Sequence, residues 1–454
     1  MARGPANNPG DAAGDFREIE GVNEIVAEGD TRAEYGGSDD SDSSGIMRYV
    51  SIRHTGINIG DSDGNEIQGL TLGGVGSGTT LEYIESYASG DDGIEFFGGT
   101  VDLKYFVSAF NADDAVDWDQ GWRGRGQFWF VLQGTDAAGA AAEQDGAGGD
   151  EFFQPYAIPR IYNATYVGPG VGNRPESDRG EMLMFRDNTG GFYHNSIFTD
   201  FETDRGGFAL TIEDIDNTGS KTEDSYQQFV NGNLGLTNNI WFGFAAGSTP
   251  EAIVNTAEAA NVTTIANYLV ANTNVISDPM LGGVSRELVG DGGLDPRPMQ
   301  ASPAWTTPRK VATDAYFDET FYIGAFGTTN WTMGWTALSD NGYLGDLAGT
   351  VDRTVITDVE EVGAELPTSI ALSQNYPNPF NPTTTIEFKL DRTQDIRLAV
   401  YDVMGREVAV LAEGTQTAGT YRTQFDARNL ASGTYFYTLR TLQGTISKTM
   451  LLIK

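Results

Sequence analysis

The sequence predicts an all-β protein: a right-handed parallel β-helix followed by a small immunoglobulin-like β-sandwich. Three observations lead there. The 454 residues include 58 Gly set among many short apolar runs, which favours turn-rich strands over helices. Part of the chain matches itself when shifted by 22 residues. A break in charge near residue 369 sets off a C-terminal segment with its own strand pattern.

The repeat carries the first domain. "LEYIESYASGDDGIEFFGGT" from Leu81 aligns with "LKYFVSAFNADDAVDWDQGW" from Leu103. Tyr83 falls on Tyr105, Ser86 on Ser108, Asp91 on Asp113, Asp92 on Asp114, Glu95 on Asp117 and Phe96 on Trp118. An earlier, longer copy starts "MRYVSI" at Met47 and closes with "GLTLGG". Runs such as "QFWFVLQG", "RIYNATYVG", "GFYHNSIFTDF" and "NNIWFGF" continue the strand pattern without the acidic motif. A period of about 20–25 residues with alternating apolar and polar positions is that of one solenoid coil, stacked about 4.8 Å from the next.

Stacking raises the question of the carboxylates. Asp91, Asp92, Asp113 and Asp114 are expected to lie one above another, with Glu95 near Asp117. Like charges so placed repel. Three readings stay open: a solvated turn, a Ca²⁺ site drawing on Asp91, Asp92, Asp113, Asp114 and Asp117, or catalytic carboxylates. Arg123 and Arg125 follow closely and are candidates to neutralise the ladder. Glu82 over Lys104 reads as an ion pair between coils. "DSDGNE" at 61–66 resembles a fragment of a calcium loop but lacks the acidic twelfth position of an EF-hand.

Composition removes several function classes. The net charge of -36 disfavours nucleic acid and anionic membrane surfaces as partners. The absence of Cys removes thiol chemistry and cysteine-ligated metals. With His54 and His194 the only histidines, a His-rich zinc site is nearly excluded. No apolar run is long enough for a membrane span, and the first residues lack the apolar core of a signal peptide.

Residues 250–272 form the best helix candidate, with Ile253, Ala257, Ala260, Ile265 and Leu269 roughly on one face. "LDPRPMQASPAW" at 294–305 reads as an ordered loop closing the β-helix. The acidic stretch "ITDVEEVGAELP" leads into 369–454, where nine Lys and Arg against seven Asp and Glu reverse the charge of the rest. There "TTIEFKL", "IRLAVYDV", "EVAVLAE", "TYRTQFDA", "GTYFYTLRT" and "TISKTMLLIK" alternate as strands, with turns at "MGRE" and "LQGT". This spacing suits a sandwich of about seven strands.

Two resemblances add to this reading. Residues 20–340, through "YGGSDDSDSSGIMRYVSIRHTG", the two acidic copies and "YIGAFGTTNWTMGWTALSDNGY", resemble large secreted β-helix-like proteins common in Bacteroidota. That family implies further coils before "YGGSDD". It offers no established activity to carry over. The end of the chain, "LSQNYPNPFNPTTTIEFKL" through "SKTMLLIK", resembles the type A sorting domain of the type IX secretion system. The matching positions are Asn375, Tyr376, Pro377, Asn378, Pro379, Phe380, Gly405, Arg406, Gly433, Tyr435 and Lys448. This implies recognition by the translocon, removal by its sortase, and a passenger attached to surface lipopolysaccharide or released. The expected layout is 1–40 as a partial solenoid segment, 41–350 as passenger, 351–368 as acidic linker and 369–454 as sorting domain. The expected location is the outer-membrane surface or the extracellular space.

The expected role is adhesion, glycan binding or surface structure, with Ca²⁺ the one cofactor considered. Trp118, Trp122 and Trp129 are candidates to stack on sugars, although each is more often core in a coil. The alternative is a pectinase-like polysaccharide lyase or hydrolase using Asp91, Asp92, Asp113, Asp114 and Arg123. Hydrolysis needs two carboxylates about 5–10 Å apart. The Gly-His-Gly and Arg-Ile-Lys motifs of polygalacturonases, which the "GDD" resembles, are absent.

Overall fold

Equivalent positions of successive coils pair in parallel, as the repeat requires. In a computed structural model, Leu81 lies opposite Leu103, Glu82 opposite Lys104 and Ser86 opposite Ser108. Glu95 lies opposite Asp117 and Phe96 opposite Trp118. The structure describes residues 16–19, 31–58, 66–146, 152–172, 180–204, 206–215, 224–287, 289–345, 359–361, 367, 369–392, 394–401, 403, 407–428, 430–441 and 444–453. "DSDGNE" lies outside them apart from Glu66. The chain divides into two compact units: Met1–Phe317 with Tyr322–Ala348, and Asp318–Phe321 with Gly349–Lys454.

The first unit is a parallel β-helix of two long sheets. One has seven short strands, running from Leu70–Gly73 through Ile94–Phe97, Asp117–Asp119 and Ala142–Gln144 to Val254–Asn255. The other has eleven, beginning with the eight-residue strands Ile46–Arg53, Thr80–Tyr87, Asp102–Ala109 and Arg125–Leu132. Between them Leu81, Ile84, Phe96, Leu103, Phe106, Trp122 and Trp129 form one core. Phe96 stacks on Trp122 at 4.0 Å between centroids, and Trp122 on Trp129 at 6.2 Å. Trp118, Trp122 and Trp129 are each 0% exposed. That corrects the expectation that they stack on sugars: the inward set of each strand is the core.

Each coil of the long-strand sheet bends at an equivalent residue. Tyr49, Tyr83, Tyr105 and Phe128 occupy the left-handed region with φ of 55–61°. Asn163, Asn195, Asn238 and Thr273 continue the column with φ of 55–59°. The aromatic members stack at 4.4, 4.3 and 4.8 Å. Asparagine is the residue other than glycine that tolerates this backbone best. The aromatic members adopt it with ring stacking offsetting part of the strain.

The segment after the last coil runs back along this column. Asn238 donates to the Pro308 carbonyl, Asn195 to that of Lys310 and Asn163 to that of Tyr322. Farther on, Trp331 meets Tyr105 edge-on, Trp335 meets Tyr49 and Tyr83 likewise, and the Ala337 amide donates to Glu85. Asp340 pairs with Arg53 near the first coil. Sequence reading missed this strap, although "LDPRPMQASPAW" is ordered as expected, with Asp295–Pro298 pairing antiparallel to Leu281–Gly283. The helix predicted over 250–272 spans only Ala259–Ala271. Val254–Asn255 is a strand instead, because pairing with Phe208–Ile212 overrides local propensity. Toward the N-terminus, Phe16–Glu18 pairs antiparallel with Glu34–Gly36 rather than forming a coil strand.

The second unit has two four-stranded antiparallel sheets. One orders Val359–Glu361, Gly419–Asp426, Thr383–Leu390 and Ala371–Leu372. The other orders Glu407–Gln416, Gln394–Tyr401, Gly433–Thr441 and Gly444–Leu452. Ile386, Phe388, Leu398, Tyr437, Leu439 and Met450 fill the space between them. Val359–Glu361 falls in the stretch read as linker, yet it pairs with the sheet.

Candidate functional site

The two acidic turns stack because strand pairing continues through them. Gly69 donates its amide to the Asp92 carbonyl and Gly93 to that of Asp114, each at 2.8 Å. The Asp114 amide also donates to Asp92 Oδ1 at 2.9 Å. One carboxylate oxygen each from Asp91, Asp92 and Asp113 lies within 4.8 Å of the others. Asp91, Asp92 and Asp114 are buried, while Asp113 is exposed. Gly139 closes the next coil over them, and a Cβ there would come within 2.1 Å of Asp114 Oδ1 and 2.4 Å of Asp113 Oδ1.

On the adjoining strands Glu95, Asp117 and Glu143 form a second column. Burial pushes the Asp92, Asp114 and Asp117 carboxyls well above the usual carboxylate range. Asp113 and Asp91 add to the shift at Asp92, Glu143 and Asp92 to that at Asp114, and Asp92 and Glu143 to that at Asp117. Arg186 meets the column at its later end, pairing with Glu143 at 3.0 Å and Asp145 at 2.7 Å.

The arginines expected to neutralise the ladder are engaged elsewhere. Arg123 donates to Asp40 and the Gly121 carbonyl. Arg125 grips Asp102 and takes Asp314 of the strap with two 2.9 Å bonds. Glu82 and Lys104 are opposite as predicted; Glu82 also accepts from Arg48, and Lys104 donates to the Tyr316 carbonyl.

A second site lies where the strap crosses later coils. A cleft of about 380 Å³ is walled by Tyr162, Phe192, His194 and Thr237 of three successive coils, and by Tyr268 of the helix. Lys310, Thr313, Asp314 and Phe317 of the strap close it, with Arg160 and Asn272 also lining it. Tyr162 packs on Phe317 at 4.3 Å and Phe192 stacks with His194 at 5.8 Å. Gly235, opposite Phe192 in register, makes room for this floor. A Cβ there would lie 2.7 Å from the Tyr268 hydroxyl and 3.2 Å from the Phe192 ring.

His194 Nδ1 and the Thr237 hydroxyl share a 2.6 Å hydrogen bond. Burial, with Lys310 and Arg160 nearby, pushes its pKa down to about 3, so the ring is neutral at ordinary pH. Asp314 is held below the usual range by the Tyr316 amide and Arg125. Sequence reading missed this cleft. Its walls come from coils 32 and 43 residues apart and from the strap, with no shared period.

In the second unit the matched positions have structural tasks. Asn375 is buried and donates to the Pro377 carbonyl and the Thr384 hydroxyl, while its amide donates to the Tyr437 hydroxyl. Asn378 Oδ1 accepts from the Leu451 amide, and buried Phe380 bonds through its backbone to Leu451 and Ile453. The motif thereby fastens the last strand. Tyr435 donates to the Ala431 carbonyl, and Lys448 lies opposite Tyr437 on the edge strand that ends across from Gly433. Tyr376, Pro377 and Pro379 are exposed. Gly405 and Arg406 lie outside the described residues.

Residues 374–454 match a family described as the secretion system C-terminal sorting domain. The type IX system exports the chain through this domain to the cell surface or extracellular space. Among the described residues no helix is long and apolar enough to cross a membrane. No curated protein matches the chain. Among solved structures, one similar chain is a crystal structure of an engineered protein, 14% identical with a TM-score of 0.15. The match covers 50% of this chain and 42% of that one, so this chain spans less than half of its length. Over residues 18–277 the sequence matches a family described as the pectate-lyase-like β-helix domain. With more than half its length in that match, and with coils paired in the register described above, the chain belongs to the pectate-lyase-like β-helix family.

Proposed function

We propose that the exported solenoid is a surface-displayed carbohydrate-binding module. The supporting observation is the cleft, whose aromatic floor of Tyr162, Phe192, Tyr268 and Phe317 is bordered by Asn272, Thr313 and Thr237. Flat apolar faces beside a few polar groups suit a sugar ring, and the volume lies in the range of small-ligand sites. Binding of the full chain to a glycan array tests this. A hit is expected to be lost in Phe192→Leu. No hit, or hits unchanged by that substitution, overturns the reading.

Within the same proposal, Asp91, Asp92, Asp113, Asp114 and Asp117 hold a Ca²⁺ ion that stabilises the coils. Ca²⁺ takes six to eight oxygens, and carbonyls of the Gly-rich turns complete such a set. The sorting domain is removed by the sortase, and the passenger is joined to lipopolysaccharide or released. Mass spectrometry of surface fractions tests this step, and a surface passenger retaining 369–454 speaks against it.

A second reading is polysaccharide cleavage at the acidic turns. It is favoured by the raised Asp92 and Asp114 carboxyls, since a general acid must be protonated near neutral pH. Reducing-sugar release or new ultraviolet absorbance from acidic polysaccharides, abolished by Asp92→Asn, would favour it over binding alone.

A further inference from the structure

We infer that the cleft selects an acid-bearing sugar and holds its anionic group with Arg160 and Lys310, without a metal ion. The inference rests on the carbohydrate reading and specifies its ligand class. In a chain of net charge -36, most arginines inside the solenoid are consumed by carboxylates, as Arg125, Arg186, Arg286 and Arg297 are. Arg160 and Lys310 are exposed and line the same cleft, one from a coil and one from the strap. Among the described residues, neither has an ion-pair partner.

The remaining charges do not cancel them. Among the described residues Asp314 is the one carboxylate lining the cleft, and both its oxygens accept from Arg125. Asp102 occupies the rest of that guanidinium. Neutral His194 neither adds charge nor competes for the anion. Taken together, Arg160, Lys310, Arg125, Asp102 and Asp314 leave the cleft net positive within a strongly acidic protein. A guanidinium offers a planar fork and an ammonium a point charge, a pair suited to carboxylate, sulfate or phosphate oxygens. The ring floor then takes the sugar face, and Asn272 and Thr313 also line the cleft and offer polar groups to its hydroxyls. Among the described residues no acidic side chain besides Asp314 lines the cleft, so they offer a bridging cation no set of carboxylate ligands there.

The test measures binding of oligosaccharides of equal length to the full chain: one uronic-acid type, one sulfated, one phosphorylated and one neutral. Each is measured in EDTA and in millimolar Ca²⁺, at low and high salt. The expected result is at least tenfold tighter binding of one or more acidic probes than of the neutral one. That preference should be unchanged by EDTA, weakened by salt, and lost in Arg160→Gln/Lys310→Gln. Which acidic probe binds identifies the acid. Both positions are exposed, so folding of the variant is checked by its melting curve. Neutral and acidic probes binding alike, with only Phe192→Leu abolishing both, would overturn the acid selectivity and leave the carbohydrate reading standing. Binding of no probe would overturn both. Acidic binding that vanishes in EDTA would overturn the metal-independent mode.

Discussion

Replacing Asp92 by Asn is expected to stabilise the solenoid without calcium and destabilise it relative to the native chain with calcium. Asp92 is buried, and it shares a 4.8 Å neighbourhood with Asp91 and Asp113. At that separation each like-charge pair costs roughly 1 kcal/mol in water and about 3 at an effective dielectric of 20. Proton uptake caps the total. At pH 7 a carboxyl with an ordinary value near 3.9 is neutralised for about 4 kcal/mol. Asn can keep the acceptor that receives the Asp114 amide, so the substitution removes charge and little else. The expected gain in EDTA is therefore about 1–4 kcal/mol.

The pH dependence follows from the raised carboxyls of Asp92, Asp114 and Asp117. Their contribution is fully present below about pH 4. It is lost as pH rises through their raised folded values, because the folded state binds more protons than the unfolded. Ca²⁺ should abolish that loss by binding the ionised forms. The assay is thermal unfolding of the full chain followed by tryptophan fluorescence. All seven tryptophans precede residue 336, so the signal reports the solenoid and not the C-terminal sandwich. Curves are taken in EDTA and in millimolar Ca²⁺ at pH 5 and 7.5. If Asp92→Asn lowers the midpoint in EDTA, the carboxylates are not in repulsive contact. If Ca²⁺ raises both proteins equally, or neither, the ion is not held at this ladder, and the repeated acidic turn is a stable arrangement without metal.

Other expectations concern separate parts of the chain. Trp129→Ala removes a fully buried ring stacked with Trp122 and is expected to cost about 3–5 kcal/mol, read by urea unfolding. Gly235→Ala should push Tyr268 away from Phe192 and weaken glycan binding with little change in melting, while unchanged affinity would place the sugar elsewhere. His194 is depressed to about 3, so its contribution is present above about pH 6.5 and lost as pH falls toward 3. His194→Gln should flatten that acid limb. Asn375→Ala deletes two side-chain hydrogen bonds of a buried residue and should lower the midpoint of the sandwich. Supplied with a signal peptide, a reporter fused to 369–454 is expected outside the cell, and one that stays in the periplasm counts against sorting by this domain.

Much of this architecture was legible because a parallel β-helix converts a sequence shift into a spatial neighbour. The 22-residue register by itself sets Asp92 against Asp114 and Glu95 against Asp117, as the structure has them. Self-similarity fades where coil length changes. Separations of 34, 32 and 43 residues admit insertions, and similarity no longer marks the partner. The strap was illegible for another reason. Over its first half it is held by backbone carbonyls meeting asparagine side chains, and a carbonyl carries no residue identity. The cleft depends on both, so neither Arg160 nor Lys310 stood out from other surface cations. Asparagines at "YNAT", "HNSI" and "TNNI" were the available signal. Each marks a left-handed bend that offers an amide outward.

The strap gives the solenoid a ruler. A stack of identical pairings has no intrinsic length, and duplicating one coil would lengthen it by about 4.8 Å while leaving every strand with a partner. The strap is covalently fixed in length and is pinned from Asn238 at one end to Arg53 at the other. An added coil would have to stretch it or unfasten an end, and a deleted coil would leave it slack. The number of coils is thereby selected by a segment that belongs to none of them, and gain of a repeat in such a gene should be accompanied by an insertion between residues 295 and 345, and loss of a repeat by a deletion there.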